Sequence, residues 1–195
     1  TCALPIYLRG RRIAVGPEGS GTRIVAEKML RVNGITAEDA TYLPLAGEQA
    51  AEALISGKAD VIIIGSVLDA PAVQSLLHTP DIELMSMNHA KALTRKFPFL
   101  YRLELPAGVV NFQRNIPSAD IALVGTTYSV AVRPDIHPEI VELLARALAE
   151  VHKAPSVFQQ VGEFPMATDP EYPVAEAARG FYKDGPSFLQ RYLPF

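Results

Sequence analysis

The sequence has one cysteine, no long apolar run and no excess of basic residues, and each shortage excludes a class of protein. A single cysteine, Cys2, excludes an internal disulfide and a cysteine-based metal site. No stretch approaches the roughly 20 apolar residues that a membrane helix needs, so no span is expected within this sequence. The net charge of −3 argues against nucleic acid as a partner, because phosphate binding usually leaves a basic patch.

Groups suited to metal binding or covalent catalysis are also scarce. The four histidines have no metal-ligand spacing, and His137 and His152 are placed to cap and to end one helix. Neither the G-x-S-x-G nor the C-x-x-C motif occurs. These residues therefore predict no metal site and no nucleophilic active site.

What the sequence does contain is an alternation of apolar runs and helical periods. A hydrophobic fraction of 49% with 20% charged residues is typical of a soluble α/β protein of one large or two small domains. Strands are predicted near 12–16, 41–45, 60–65 and 82–87, with a helix after each of the first three. The run VIIIG lacks polar alternation, as in a parallel strand covered on both faces. The pattern predicts an open, mostly parallel sheet.

After residue 88 the alternation is less regular. The sequence predicts a short helix over 89–96, a strand over 101–105 and two further β runs at 121–124 and 128–132. A longer helix is predicted over 138–152, with Ile140, Leu144, Leu148 and Val151 on one face. A proline-rich tail follows, interrupted by one short helix near 174–183.

The glycine-rich loop after the first strand predicts an anion site. Gly16, Gly19 and Gly21 lead into a helix that begins at residues 20–22. Unpaired N–H groups, the hydroxyls of Ser20 and Thr22 and the positive end of a helix dipole would surround one point. Nucleotide motifs fail here, because Thr22 replaces the P-loop lysine and the third dinucleotide-binding glycine is absent. The simpler alternative is a tight turn with Ser20 or Thr22 as the N-cap.

A second loop, Gly65 and Ser66, follows the VIII strand. Ligands of open parallel sheets bind beyond the carboxyl ends of the strands, so both loops are expected to face one crevice. The only acids near the two loop tips are Glu18 and Asp69, and neither loop has a general base or a carboxylate pair for a metal. The sequence therefore predicts binding without chemistry: no enzyme activity and no cofactor.

Several stretches together resemble the TAXI solute receptors of tripartite ATP-independent periplasmic (TRAP) transporters. They are LRGRRIAVGPEGSGTR (8–23), AAEALISGKADVIIIGS (50–66), FPF (97–99), LELPAG (103–108), AVRPDIHPEIVELLARAL (131–148) and the tail (162–195). The resemblance implies a type II periplasmic-binding-protein-like α/β fold, with a mostly parallel sheet lobe plus a partial second lobe. It carries ligand binding onto Ser20, Gly21 and Thr22, and onto Gly65 and Ser66.

The resemblance also implies a domain organisation. Residues 1–9 are expected to be a non-native or linker remnant. Residues 10–108 match the second lobe of the binding fold, and residues 109–195 match the return toward the first lobe and the C-terminal tail. The family's N-terminal half-lobe has no counterpart, so the sequence is expected to be an N-terminally truncated fragment.

The function implied by the resemblance is that of an extracytoplasmic solute-binding subunit. It would capture a small acidic solute, a carboxylate or an amino acid, in an interlobe cleft and deliver it to a TRAP membrane permease. Its location would be the periplasmic side of the bacterial inner membrane, with a membrane anchor beyond Phe195 or, alternatively, a tail that packs on a lobe. Two other readings remain open: an effector-sensing domain of a regulator, and a phosphate-handling transferase on the same fold.

Overall fold

The computed structural model describes residues 5–167 and 172–185. The chain is a mixed α/β protein, and it divides into two units. The first comprises Thr1–Phe97 with Arg102–Val124, and the second comprises Pro98–Tyr101 with Gly125–Phe195. The domain limits predicted from the sequence stay a prediction.

A parallel sheet forms the centre of the first unit. Its strands are β1 (Arg12–Ala14), β2 (Thr41–Leu43) and β3 (Val61–Ile62), in the order β2-β1-β3. Ile13 pairs with Tyr42 on one side and with Val61 on the other. Three of the four predicted strands and their parallel pairing are therefore confirmed, although each is shorter than its apolar run.

The helices predicted in this unit are also present. They are α1 (Gly21–Val32), α2 (Gly47–Ile55), α3 (Pro71–His78) and α4 (Ala90–Lys96), preceded by a 3-10 turn at Pro5–Leu8. Gly57 ends the α2 segment with φ +71°, and the following N–H, that of Lys58, donates to the Ala53 carbonyl at 2.7 Å. Proline opens α3 at a position where its missing N–H costs nothing.

Helices cover both faces of the sheet. On one face α1 packs on the cluster Ile13, Val15, Ala26, Leu30, Ile35 and Ala40, which Ile63 joins. On the other face Ile62 and Ile64 pack against residues of α2 and α3. Alternate residues of the VIII run thus enter opposite cores, which is why that run carries no polar position.

The fourth predicted strand, at 82–87, is wrong. In the structure this segment runs beside a second, two-stranded sheet of β4 (Tyr101–Leu105) and β5 (Ile121–Gly125). The N–H of Met87 donates to the Ala122 carbonyl at 2.7 Å, but the Ala122 N–H donates to Oγ of Ser86 at 3.1 Å. A side-chain hydroxyl therefore takes the hydrogen bond that a ladder carbonyl would have accepted.

The predicted strand at 128–132 is wrong as well, whereas those at 101–105 and 121–124 are confirmed. Tyr128 is 82% exposed and Val130 is 58% exposed. Strand propensity largely reflects packing on a half-buried surface, and these two side chains are mostly exposed to solvent.

In the second unit, α5 (Pro138–His152) packs on α6 (Glu176–Asp184), which confirms both predicted helices. The N–H of Glu139 donates to Nδ1 of His137 at 3.3 Å, so the predicted histidine cap is present. None of the helices in the described ranges is long and apolar enough to cross a membrane. The sequence predicts that residues 181–195 approach a bilayer or pack on a lobe, and of these, residues 186–195 lie outside the described residues.

The apolar face that the sequence shows on α5 is not the face that is most buried. The residues that are buried are Val141 and Ala145, while Ile140 is 48% exposed and Val151 is 72% exposed. The helix carries apolar residues on two overlapping stripes, so its sequence alone leaves the choice of the buried stripe open.

Candidate functional site

A cavity of about 250 Å³ opens at the carboxyl edge of the parallel sheet. Each of the three strands sends a loop to it, and these loops supply Gly16 and Thr22, residues within 45–50, and residues 63–66. The start of α3, residues 70–72, completes the lining. This is the place where open parallel sheets bind ligands, because the connections to the helices leave from this edge.

The first loop is held in a tight turn. Gly16 has φ +94°, and a Cβ atom added to it would lie 3.0 Å from Oγ of Ser20. That hydroxyl accepts a hydrogen bond from the N–H of Arg23 at 3.2 Å and donates to the Pro17 carbonyl at 2.8 Å. Ser20 is therefore the N-cap of α1, as one of the sequence readings predicts.

The structure brings together three of the five predicted site residues. Thr22, Gly65 and Ser66 line the same cavity, although they come from different loops. Ser20 and Gly21 stand at the start of α1 but outside the cavity lining. Because Ser20 already donates its hydroxyl proton to a carbonyl, its hydrogen bonds fix the loop.

Three helix N-termini meet at this cavity. They are those of α1 at Thr22, of α2 at Gly47 and Glu48, and of α3 at Ala72. Within the described ranges the N–H groups of these residues have no acceptor in the chain. Unpaired N–H groups at a helix start attract anions, and the dipoles of three helices add to the same field.

The side chains around the cavity add little charge of their own. Glu48, which is exposed, is the one ionisable residue of the lining. The nearby Arg23 directs its guanidinium to Glu27, with Nε 2.7 Å from Oε1, and to Glu18 at 3.9 Å. The positive field in the cavity therefore comes from the backbone, and Glu48 places one carboxylate at the rim.

Sequence reasoning missed two contributors to the lining, residues 45–48 and residues 70–72. The first had a usable signal, because the loop after β2 leaves the sheet at the same edge as the other two. The second had a weaker signal in Pro71, which marks a helix start at that edge. Among the described residues, no group of three or more His, Cys, Asp or Glu side chains is placed to hold a metal ion.

A parallel sheet with helix N-termini gathered at its carboxyl edge is the arrangement in which open α/β proteins bind ligands. The chain belongs to the NMT1-like family, whose sequence profile matches residues 7–184. That family is related to periplasmic binding proteins, which agrees with a periplasmic-binding-like fold and, at a coarse level, with a solute-binding role. A comparison with curated proteins finds no match.

Proposed function

We propose that this chain is the solute-binding subunit of a TRAP-type transporter of the TAXI kind, and that it binds a small carboxylate or amino acid without transforming it. The observation that carries the proposal is the convergence of three helix N-termini on one small cavity. The family match and the matching stretches of sequence support the solute-binding part.

The solute's carboxylate would sit against the start of α1. Thr22 offers its N–H and its hydroxyl there, and Ser66 offers a second hydroxyl from the loop after β3. Each charge-assisted hydrogen bond of this kind contributes about 1.5–3 kcal/mol. The cavity of about 250 Å³ suits a small solute, since drug-sized ligands take roughly 300–1,000 Å³.

The remaining parts of the proposal follow from the resemblance. The fold would be of type II, with closure of an interlobe cleft over the solute and transfer to a membrane permease. The subunit would face the periplasm, with an anchor beyond Phe195. Neither an enzymatic step nor a cofactor is part of the proposal.

Calorimetric titration of the chain with L-glutamate, succinate and 2-oxoglutarate tests the proposal. Separate titrations with inorganic phosphate and pyrophosphate test the alternative, a phosphate-handling protein. Thr22→Val together with Ser66→Ala should weaken carboxylate binding at least tenfold, which corresponds to about 1.4 kcal/mol. Thr41→Val is the matched control, because Thr41 lies on β2 outside this cavity. Ser20 is left intact so that the helix cap does not change.

Carboxylate binding that the double variant weakens and the control leaves unchanged would support the proposal. Binding of phosphate or pyrophosphate alone would favour a phosphate-handling protein on the same fold. Carboxylate affinity that the double variant leaves unchanged would show that the solute binds elsewhere.

A further inference from the structure

A second cavity, of about 380 Å³, lies where α1 meets β2, and it shares no lining residue with the first. Along α1 it is bordered by Arg23, Glu27 and Arg31, which recur at four-residue intervals and therefore lie on one side of the helix. Tyr42 of β2 and the turn 35–37 form the opposite wall. This cavity has no role in the function proposed above.

The strand beside this cavity has an unused hydrogen-bonding edge. The N–H of Thr41 donates to the Arg11 carbonyl at 2.9 Å, and Leu43 accepts from the N–H of Val15 at 3.1 Å. Alternate residues of a paired strand point to opposite sides, so the N–H and C=O of Tyr42 face away from β1. In the part of the chain that the structure describes, no strand pairs with that edge.

The charges along the cavity leave one cation without a partner. Arg23 is paired with Glu27, whose Oε1 lies 2.7 Å from its Nε. Arg31 has no acceptor or ion-pair partner among the described residues. The border therefore presents a net positive charge, with Arg31 as its free guanidinium.

The side chain of Tyr42 is half-buried beside this cavity. Burial, together with the Glu27 carboxylate, raises the pKa of Tyr42, and its hydroxyl donates only a long bond of 3.4 Å to the Ile35 carbonyl. The free edge of β2 at Tyr42 offers an amide donor and an amide acceptor side by side. That pairing matches a peptide backbone better than it matches a simple anion, which can use only donors.

We propose that the edge of β2 with this cavity is a docking site for an extended segment of a partner protein that carries an acidic side chain. The segment's backbone pairs with the N–H and C=O of Tyr42, in the manner of strand addition to an exposed edge. Its side chains alternate between the two faces of the sheet. One acidic side chain on the α1 face reaches Arg31 and supplies the charge that this guanidinium lacks.

The probe is the peptide acetyl-Val-Glu-Val-Glu-Val-amide, titrated into the isotope-labelled chain and followed by amide chemical shifts. Saturable shifts are expected at Thr41, Tyr42 and Leu43 and at the side chain of Arg31. Arg31→Glu should weaken binding at least tenfold, and the same peptide with lysine in place of glutamate should then bind that variant better than the parent. Arg95→Glu on α4, a basic residue outside this cavity, is the matched control and should change nothing.

Equal shifts with the glutamate and the lysine peptides would overturn the proposal, because the charge of Arg31 would then have no role. Shifts of the same residues with acetate or phosphate alone would also overturn it, in favour of a small-anion site. Protection of the Tyr42 amide that depends on protein concentration, without any peptide, would identify a second copy of the chain as the occupant instead.

Discussion

Replacing Gly16 by alanine tests the loop that positions the candidate site. Gly16 has φ +94°, and the left-handed region costs an L-residue about 1–2 kcal/mol. The new Cβ would also lie 3.0 Å from Oγ of Ser20, and disturbing a serine N-cap costs about 0.5–2 kcal/mol. We therefore expect Gly16→Ala to lower the free energy of unfolding by about 1.5–4 kcal/mol, the sum of these two ranges.

Gly19→Ala is the matched control for the backbone part of this cost. Gly19 also has a positive φ, of +76°, but no atom lies within 4 Å of the position that its Cβ would take. Its substitution should cost only about 1–2 kcal/mol. In a Ser20→Ala background the Oγ atom is gone, so Gly16→Ala should cost about 0.5–2 kcal/mol less than in the parent.

Urea unfolding followed by far-ultraviolet circular dichroism measures these differences. With a slope of about 2 kcal/mol/M, each 2 kcal/mol shifts the midpoint by about 1 M. The reasoning is refuted if Gly16→Ala costs no more than Gly19→Ala and if its cost is the same with and without Ser20. The loop would then tolerate a Cβ, and the cap could not be what fixes its shape.

Three further predictions follow from the same structure. Hydrogen bonds from the Arg12 guanidinium hold the pKa of Asp60 well below its usual value of 3.8. The stability that this pair contributes is therefore complete above about pH 4 and is lost as the pH falls toward the folded-state pKa. Asp60→Asn should lower stability at neutral pH and reduce the loss of stability on acidification, both measured by urea unfolding across a pH series. On α5, Val141→Ala should cost about 1–2 kcal/mol, whereas Leu143→Ala, at a site 64% exposed, should change stability by less than about 0.5 kcal/mol; thermal unfolding of both variants shows which face is buried. Ile35→Ala removes a fully buried side chain and should cost about 2–5 kcal/mol in the same assay.

Helix boundaries that are set by residues at the boundary itself could be predicted from the sequence. The start of α1 follows from the glycine loop and the Ser20 cap, and its end from Gly34. Pro71 and Pro138 mark the starts of α3 and α5. Glycine and proline act through the backbone of their own residue, so no distant partner is needed to recognise these boundaries.

The candidate site could be predicted in part for a related reason. That Thr22, Gly65 and Ser66 come together could be predicted because parallel strands leave their loops at one edge in any parallel sheet. Their role in binding stays a prediction. The hydrogen bond from the Ser20 hydroxyl to the Pro17 carbonyl could not be predicted from the order of the strands. It depends on the loop's three-dimensional path.

The sequence by itself determined the α/β class, the three parallel strands and the helix boundaries, because hydrophobic period and turn residues act over a few neighbouring positions. Only the tertiary structure decided that two further apolar runs do not become strands, and which face of α5 is buried. A strand exists only where a second backbone accepts its hydrogen bonds, and the segments 82–87 and 128–132 lack such a ladder in the described structure. A helix buries the stripe that its neighbours cover, and α6, which packs on α5, lies more than 20 residues further along the chain.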